Sequence, residues 1–273
     1  MIYYFLELIQ INRIGFYAYE DVLFRAVMAA LTSLALTFWQ GPRIIRWLMR
    51  QKIGDRPEFY HAALNELMKD RANTPTMGGI LILAGILIST LLWVKLNNSF
   101  VHKAVFTILF FGWIGGLDDY WKLTGRKTPH SREGMLAWQK LVYQFGGSLL
   151  VVWFLYSDVK MIEDARMLWL PFYKHGIPLA GWMFIVLSIL YITATSNAVN
   201  LTDGMDGLAS GCLGIVSTVL VILCYIASER MGRTASMTWA GYLLLPHIPG
   251  SGELCVFYAA ITGAILGFLW YNC

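Results

Sequence analysis

Charge is what this chain has least of. Asp, Glu, Lys and Arg make up only 14% of its 273 residues, where a soluble domain carries about 25%. The net charge of +4 is small and scattered, which argues against a nucleic-acid partner, because such proteins cluster basic residues on one face. Cysteines are few: Cys212, Cys224, Cys255 and Cys273 form no CxxC pair and no metal-ligand spacing. Along one helix Cys212 and Cys224 would stand about 18 Å apart, out of disulfide reach, so they read as small buried hydrophobes. The five histidines (His61, His102, His130, His175 and His247) are dispersed, which argues against a histidine metal site. No Walker loop, no serine nucleophile elbow and no internal repeat is present. The opening MIYYFLELIQINR lacks a basic n-region and a small-residue cleavage site, so it is not read as a signal peptide.

Apolar residues fill the space that charge leaves. Of the chain, 57% is hydrophobic, with 11 Trp, 15 Phe and 14 Tyr, and the mean hydropathy is +0.56. A disordered chain cannot be this apolar. The composition is that of an integral membrane protein, and a single transmembrane domain is expected over 1–273. Spans of about 17–25 apolar residues are predicted at 22–40, 77–94, 102–117, 136–156, 182–199, 208–227 and 255–271. The fold class is therefore an all-α polytopic transmembrane helix bundle of about seven spans.

Lys and Arg gather in two connections. Segment 41–76 holds Arg43, Arg46, Arg50, Lys52, Arg56, Lys69 and Arg71, and segment 118–140 holds Lys122, Arg126, Lys127, Arg132 and Lys140. The positive-inside rule places both in the cytoplasm and the N-terminus outside. Seven spans then bring 69–79, 118–140, 197–207 and 271–273 to the cytoplasmic side. The unusual polar sequences of the chain lie in those same segments, which predicts that they converge on one site.

Three clusters can carry chemistry there. Asp118 and Asp119 end an apolar span in GGLDDY. Adjacent carboxylates near lipid repel, and a divalent cation or a basic partner would relieve them. On a helix the two point about 100° apart, so one can face a metal while the other faces a proton-transfer partner. The bland alternative is a solvated pair ending the span. In the second cluster, NAVNLTDGMDG, Asn200, Asp203 and Asp206 recur every three residues, so a helical turn would place them on neighbouring positions of one face. Their oxygens suit a nucleotide's donors or Mg²⁺; a polar loop with an N-cap Asp is the alternative. The third, Arg71-Ala-Asn-Thr-Pro-Thr-Met-Gly-Gly79, puts a cation, hydroxyls and glycines before a span, where helix N–H groups favour anions. Thr74 or Thr76 as a plain N-cap explains it equally well.

The phrases NTPTMGG, GGLDDYWK, NAVNLTDGMDGLASG and GAILGFLWYNC, in that order, resemble the bacterial phospho-N-acetylmuramoyl-pentapeptide transferases. The wider family of polyprenyl-phosphate N-acetylhexosamine-1-phosphate transferases shares the Asp-Asp pair. The resemblance runs from about residue 22 to the end, and NAVNLTDGMDGLA is its most specific part. It implies transfer of phospho-MurNAc-pentapeptide from UDP-MurNAc-pentapeptide to undecaprenyl phosphate, giving lipid I and UMP, with Mg²⁺ as cofactor. The setting it implies is the bacterial inner membrane, with a cytoplasmic active site and membrane lipid as a partner; a homodimer is compatible with it. Residue by residue, Asp118 and Asp119 match the catalytic pair, with Asp119 a metal ligand or a support to the base. Asn200, Asp203 and Asp206 match positions around the uridine nucleotide and the active site. Thr76 matches a nucleotide-pocket residue, Lys122 a basic residue near the diphosphate, and Asn272 an Asn beside the nucleotide. Transfer can run directly, with Asp118 as base, or in two steps through a phosphoryl-aspartate.

Three departures from the family pattern matter. Arg71 stands where the family has Lys, keeping the charge but changing hydrogen-bond geometry, and Asn73 stands for Gly. A usual Lys-Gly pair reads Glu133-Gly134. The family's third metal-binding Asp is expected beyond Cys273, with the C-terminal part of the fold. Two rivals remain. An aromatic prenyltransferase needs NDxxD-type spacing, which neither motif reproduces. An ion-coupled transporter should carry its carboxylates near span centres rather than at their ends.

Overall fold

The computed structural model describes residues 1–10, 18–50, 78–124, 135–159, 166–170, 173, 175–203, 207–230 and 237–272. Each of the seven predicted spans is a helix within these residues. In chain order the helices are α1 (Ile2–Gln10), α2 (Val22–Arg50), α3 (Gly79–Trp93), α4 (Ser99–Thr124), α5 (Ala137–Val159), α6 (Gly181–Thr202), α7 (Leu208–Ser228), α8 (Trp239–Leu243) and α9 (Gly252–Asn272). A two-stranded antiparallel pair, Met167–Leu168 with Ile177–Pro178, lies between α5 and α6. The molecule is an all-α polytopic membrane bundle.

Among the described residues five helices (α2, α4, α6, α7 and α9) are long and apolar enough to cross a membrane, and α3 is a shorter apolar helix of 15 residues. Helix α5 has the length, at 23 residues, but Gln139, Lys140, Gln144, Ser148 and Asp158 dilute its apolar character. The helices that outrun their predicted spans furthest are α2, to Arg50, and α4, to Thr124. Span prediction stops where apolar residues stop, whereas backbone hydrogen bonding continues a helix into a polar setting. Helix α1, not predicted, packs on α3, with the Met1 amino group donating to the Leu92 carbonyl at 3.2 Å.

The core lies along α9, half buried in its apolar stretch and packed against α2, α3, α4 and α7. One apolar cluster joins Ala26, Ala29, Trp93, Val101, Val256, Ala259 and Ala260; a second joins Ile86, Phe257, Ile261, Ala264 and Ile265. Small side chains let helices approach closely where lipid offers no hydrophobic drive to associate. At Gly263 an added Cβ would overlap the Ala30 carbonyl oxygen and the Ser33 hydroxyl. Gly263→Ala is therefore expected to cost about 1–3 kcal/mol by overpacking, read as a lower unfolding midpoint in detergent. Gly146→Ala, where a Cβ meets nothing within 4 Å, is the control. Equal midpoints for the two would overturn the close α2–α9 approach.

Contacts along the helices define two ends. At one, Arg25 and Glu253 pair, Asn98 donates to the Gly250 carbonyl at 2.8 Å, and the His247 ring contacts the Ala227 carbonyl at 2.9 Å. These bring together the starts of α2, α4 and α9 and the ends of α3 and α7. By continuity the opposite end collects the close of α4, the start of α5, the close of α6, the start of α7 and the close of α9. There Tyr271 donates to the Phe38 carbonyl at 2.7 Å, and the Phe268 ring lies against Gly78. The polar motifs at Asp118, Asn200 and Asn272 thus fall at one end of the bundle, as alternating spans require.

Candidate active site

The last turns of α4 carry the acidic pair. Because α4 continues past the predicted 117, Asp118 and Lys122 are an i,i+4 pair, and their ammonium–carboxylate distance is 2.8 Å. The same Lys122 ammonium is 3.7 Å from Asp119. The second oxygen of Asp118 accepts the Met135 backbone N–H at 2.7 Å, which ties the acidic turn to the chain entering α5. Asp118 is 14% exposed in its side chain, Asp119 34% and Lys122 50%. Asp118 is the fixed carboxylate and Asp119 the more open one.

Helix α5 adds a second cation. Lys140 lies close enough for its charge to act on both Asp118 and Asp119, and its ammonium donates to the Asn200 side-chain oxygen at 2.7 Å. Lys140 therefore links the acidic turn to Asn200, the first residue of the NLTDGMD motif. Such a cluster, with cations beside hard oxygen donors, suits a phosphate-bearing ligand.

Beyond Asn200 the helix stops. Asp203 caps α6 with its own N–H on the Val199 carbonyl at 3.1 Å, and its side chain is exposed. Asn200 and Asp203 therefore share the last turn of α6, at neighbouring positions as predicted, with Asp203 as its cap. The chain must reverse here to enter α7, and Gly207 makes that possible with φ +75°, a left-handed geometry that favours glycine. Of the other predicted residues, Arg71, Thr76 and Asp206 lie outside the described residues. Asn272 ends α9 at the same end of the bundle, its side chain also outside the described set. The structure joins Asp118, Asp119, Lys122 and Asn200. Among the described residues no group of three or more His, Cys, Asp or Glu is placed to hold a metal.

Lys140 lies outside the sequence motifs, where it reads only as loop charge, yet it joins the site. Its signal was present as spacing: Lys140, Gln144 and Ser148 recur every four residues inside an apolar span. Thr193, Asn197 and Asn200 make a matching stripe on α6. One polar residue per turn on two apolar helices marks faces that meet.

The fold is that of a polytopic membrane protein with an acid–lysine cluster at one end of the bundle, and comparison with known proteins supplies its class. Residues 101–273 match the profile of glycosyl transferase family 4, and the chain belongs to that family. Residues 72–83 match the phospho-N-acetylmuramoyl-pentapeptide-transferase signature 1. The protein is an enzyme of that type, a polyprenyl-phosphate sugar-1-phosphate transferase in a multi-pass membrane setting. Its substrate classes are accordingly a nucleotide sugar and a prenyl-phosphate lipid.

Proposed function

We propose that this enzyme transfers phospho-MurNAc-pentapeptide from UDP-MurNAc-pentapeptide to undecaprenyl phosphate, giving lipid I and UMP in peptidoglycan synthesis. The observation that carries the proposal is the signature at 72–83 in a chain whose Asp118, Asp119, Lys122, Lys140 and Asn200 gather at one bundle end. The connections richest in Lys and Arg, 41–76 and 118–140, start from helix ends on that side, which supports a cytoplasmic orientation of the site; the bacterial inner membrane is the setting that the proposed activity implies. The acceptor phosphate sits there at headgroup level, and a soluble nucleotide sugar reaches it from the aqueous side.

An oxygen of the acceptor phosphate forms a bond to the sugar-linked phosphorus of the donor. The bond from that phosphorus to the bridging oxygen breaks, and UMP leaves with that oxygen. Two polyanions must approach, so Lys122 and Lys140 offset their repulsion. Asp118, held by Lys122 and the Met135 N–H, takes a proton from the acceptor phosphate. The donor set suits Mg²⁺, a hard ion that would take one or two of these carboxylates together with substrate phosphates and water. Asp119, more open and farther from Lys122, is the residue that would hold it, with Asp118 adjacent. Bound there, Mg²⁺ would act as a Lewis acid and neutralise developing charge. Asn200, Asp203, Asp206, Thr76, Arg71 and Asn272 are assigned to the nucleotide side, with Asn200 oriented by Lys140.

Release of UMP by the purified protein, with undecaprenyl phosphate in detergent, tests the proposal. UDP-MurNAc-pentapeptide should support it, a chelator should stop it, and Mg²⁺ should restore it. Turnover with UDP-GlcNAc and none with UDP-MurNAc-pentapeptide would assign another sugar-1-phosphate transfer. A phosphorylated protein trapped with donor alone would assign the two-step route.

A further inference from the structure

Helices α5 and α6 meet through a ladder of side-chain hydrogen bonds. Nearest the site, Lys140 donates to Asn200 at 2.7 Å. One turn deeper, the Gln144 amide donates to the Ser196 hydroxyl at 3.0 Å and accepts from the Asn197 amide at 2.8 Å. One turn deeper again, the hydroxyls of Ser148 and Thr193 are 3.3 Å apart. The rungs pair in antiparallel order, descending α5 while ascending α6. Gln144 is 1% exposed and Ser148 fully buried, whereas Trp153, Trp182, Leu190 and Tyr191 on the same two helices face outward. Apolar packing with lipid-like surroundings tolerates sliding and rotation, because one apolar contact replaces another. A two-ended amide does not tolerate them, since a slip leaves buried polar groups unpaired.

We infer that Gln144 is a positioning residue: by clamping Ser196 and Asn197 it sets the register and rotation of α6 against α5, and so the meeting of Lys140 with Asn200. It stands one turn from Lys140 on α5, and Asn197 stands one turn from Asn200 on α6. Its two bonds thus set the spacing across which the long, flexible lysine must reach. The inference rests on this end of the bundle being the transfer site, as proposed above.

Two measurements test it, one of them independent of turnover. The first uses Lys140→Cys with Asn200→Cys in a background whose native cysteines are alanine, treated with a short bismaleimide. Cross-linking should be fast with Gln144 present and at least tenfold slower with Gln144→Leu. An unchanged rate overturns the inference, whatever the enzyme's substrate. The second is kinetic, in the otherwise native chain. Gln144→Leu should lower kcat at least tenfold, with a smaller change in KM for the nucleotide sugar. Ser148→Ala, at the deeper rung, should leave kcat within about twofold at a comparable unfolding midpoint. The exchanged pair Gln144→Asn with Asn197→Gln, which restores the combined length of the bridge, should recover at least threefold of the loss. Equal kcat losses in Gln144→Leu and Ser148→Ala, tracking their midpoints, would make the ladder plain adhesive and overturn the inference. If cross-linking slows but the native chain turns over no nucleotide sugar, the clamp stands and the proposed function falls.

Discussion

Asp118→Asn is expected to lower transfer by about 10²–10⁴-fold, the usual loss with a general acid–base group, while the bundle stays folded. The local contacts say why the fold should survive. The Asn side-chain oxygen still accepts the Met135 N–H, and Lys122, half exposed, is left in solvent reach when its partner loses charge. An ion pair whose lysine is half exposed contributes little to stability. On the proposed mechanism, what is lost is the proton acceptor and one negative oxygen beside the acceptor phosphate. Lipid-linked product is the quantity to measure, with the unfolding midpoint as the check. Turnover within about tenfold of the native enzyme would make Asp118 structural.

A second large effect belongs to the other end of the molecule. The Arg25 side chain is fully buried and grips Glu253 with two parallel bonds of 2.6 and 2.7 Å. The Lys95 N–H also donates to Glu253 at 2.9 Å, and Arg25 lies 5.3 Å from the Tyr3 ring centroid. The network fastens α1, α2 and α9 around the segment leaving α3. Arg25→Met strands a buried carboxylate and should cost about 3–5 kcal/mol, seen as a fall in folded yield and unfolding midpoint. Replacing both partners, Arg25→Met with Glu253→Met, should recover most of that loss, since an apolar pair carries no unpaired charge. A double variant no better than the single one would show that the stability lies in packing around Arg25 rather than in charge pairing.

The two ends differ in how far sequence foretold them. The acidic pair at 118–119 and the dense Asn200–Asp203 motif stood out because polar clusters beside apolar spans are costly and uncommon in a membrane chain. Arg25 did not stand out, being a single charge near the start of a span, where a snorkelling side chain is unremarkable. Only Glu253, 228 residues away, gives it meaning. Lys140 was likewise ordinary as a loop cation until α6 supplied Asn200.

By itself the sequence determined the membrane class, the helical content, the places of seven helices and the end of the bundle at which polar motifs collect. Those follow from local rules: apolar run length, backbone hydrogen bonding in lipid, and alternation of direction from span to span. Tertiary structure alone decided which helices touch. It placed α9 at the centre through Gly263 and its small neighbours, matched the stripe of α5 to that of α6, and ended α6 at Asp203 so that the chain could turn at Gly207. Helix pairing depends on complementary surfaces from distant parts of the chain. A pattern within one span shows that a face exists, but the partner for that face is fixed only when the helices pack.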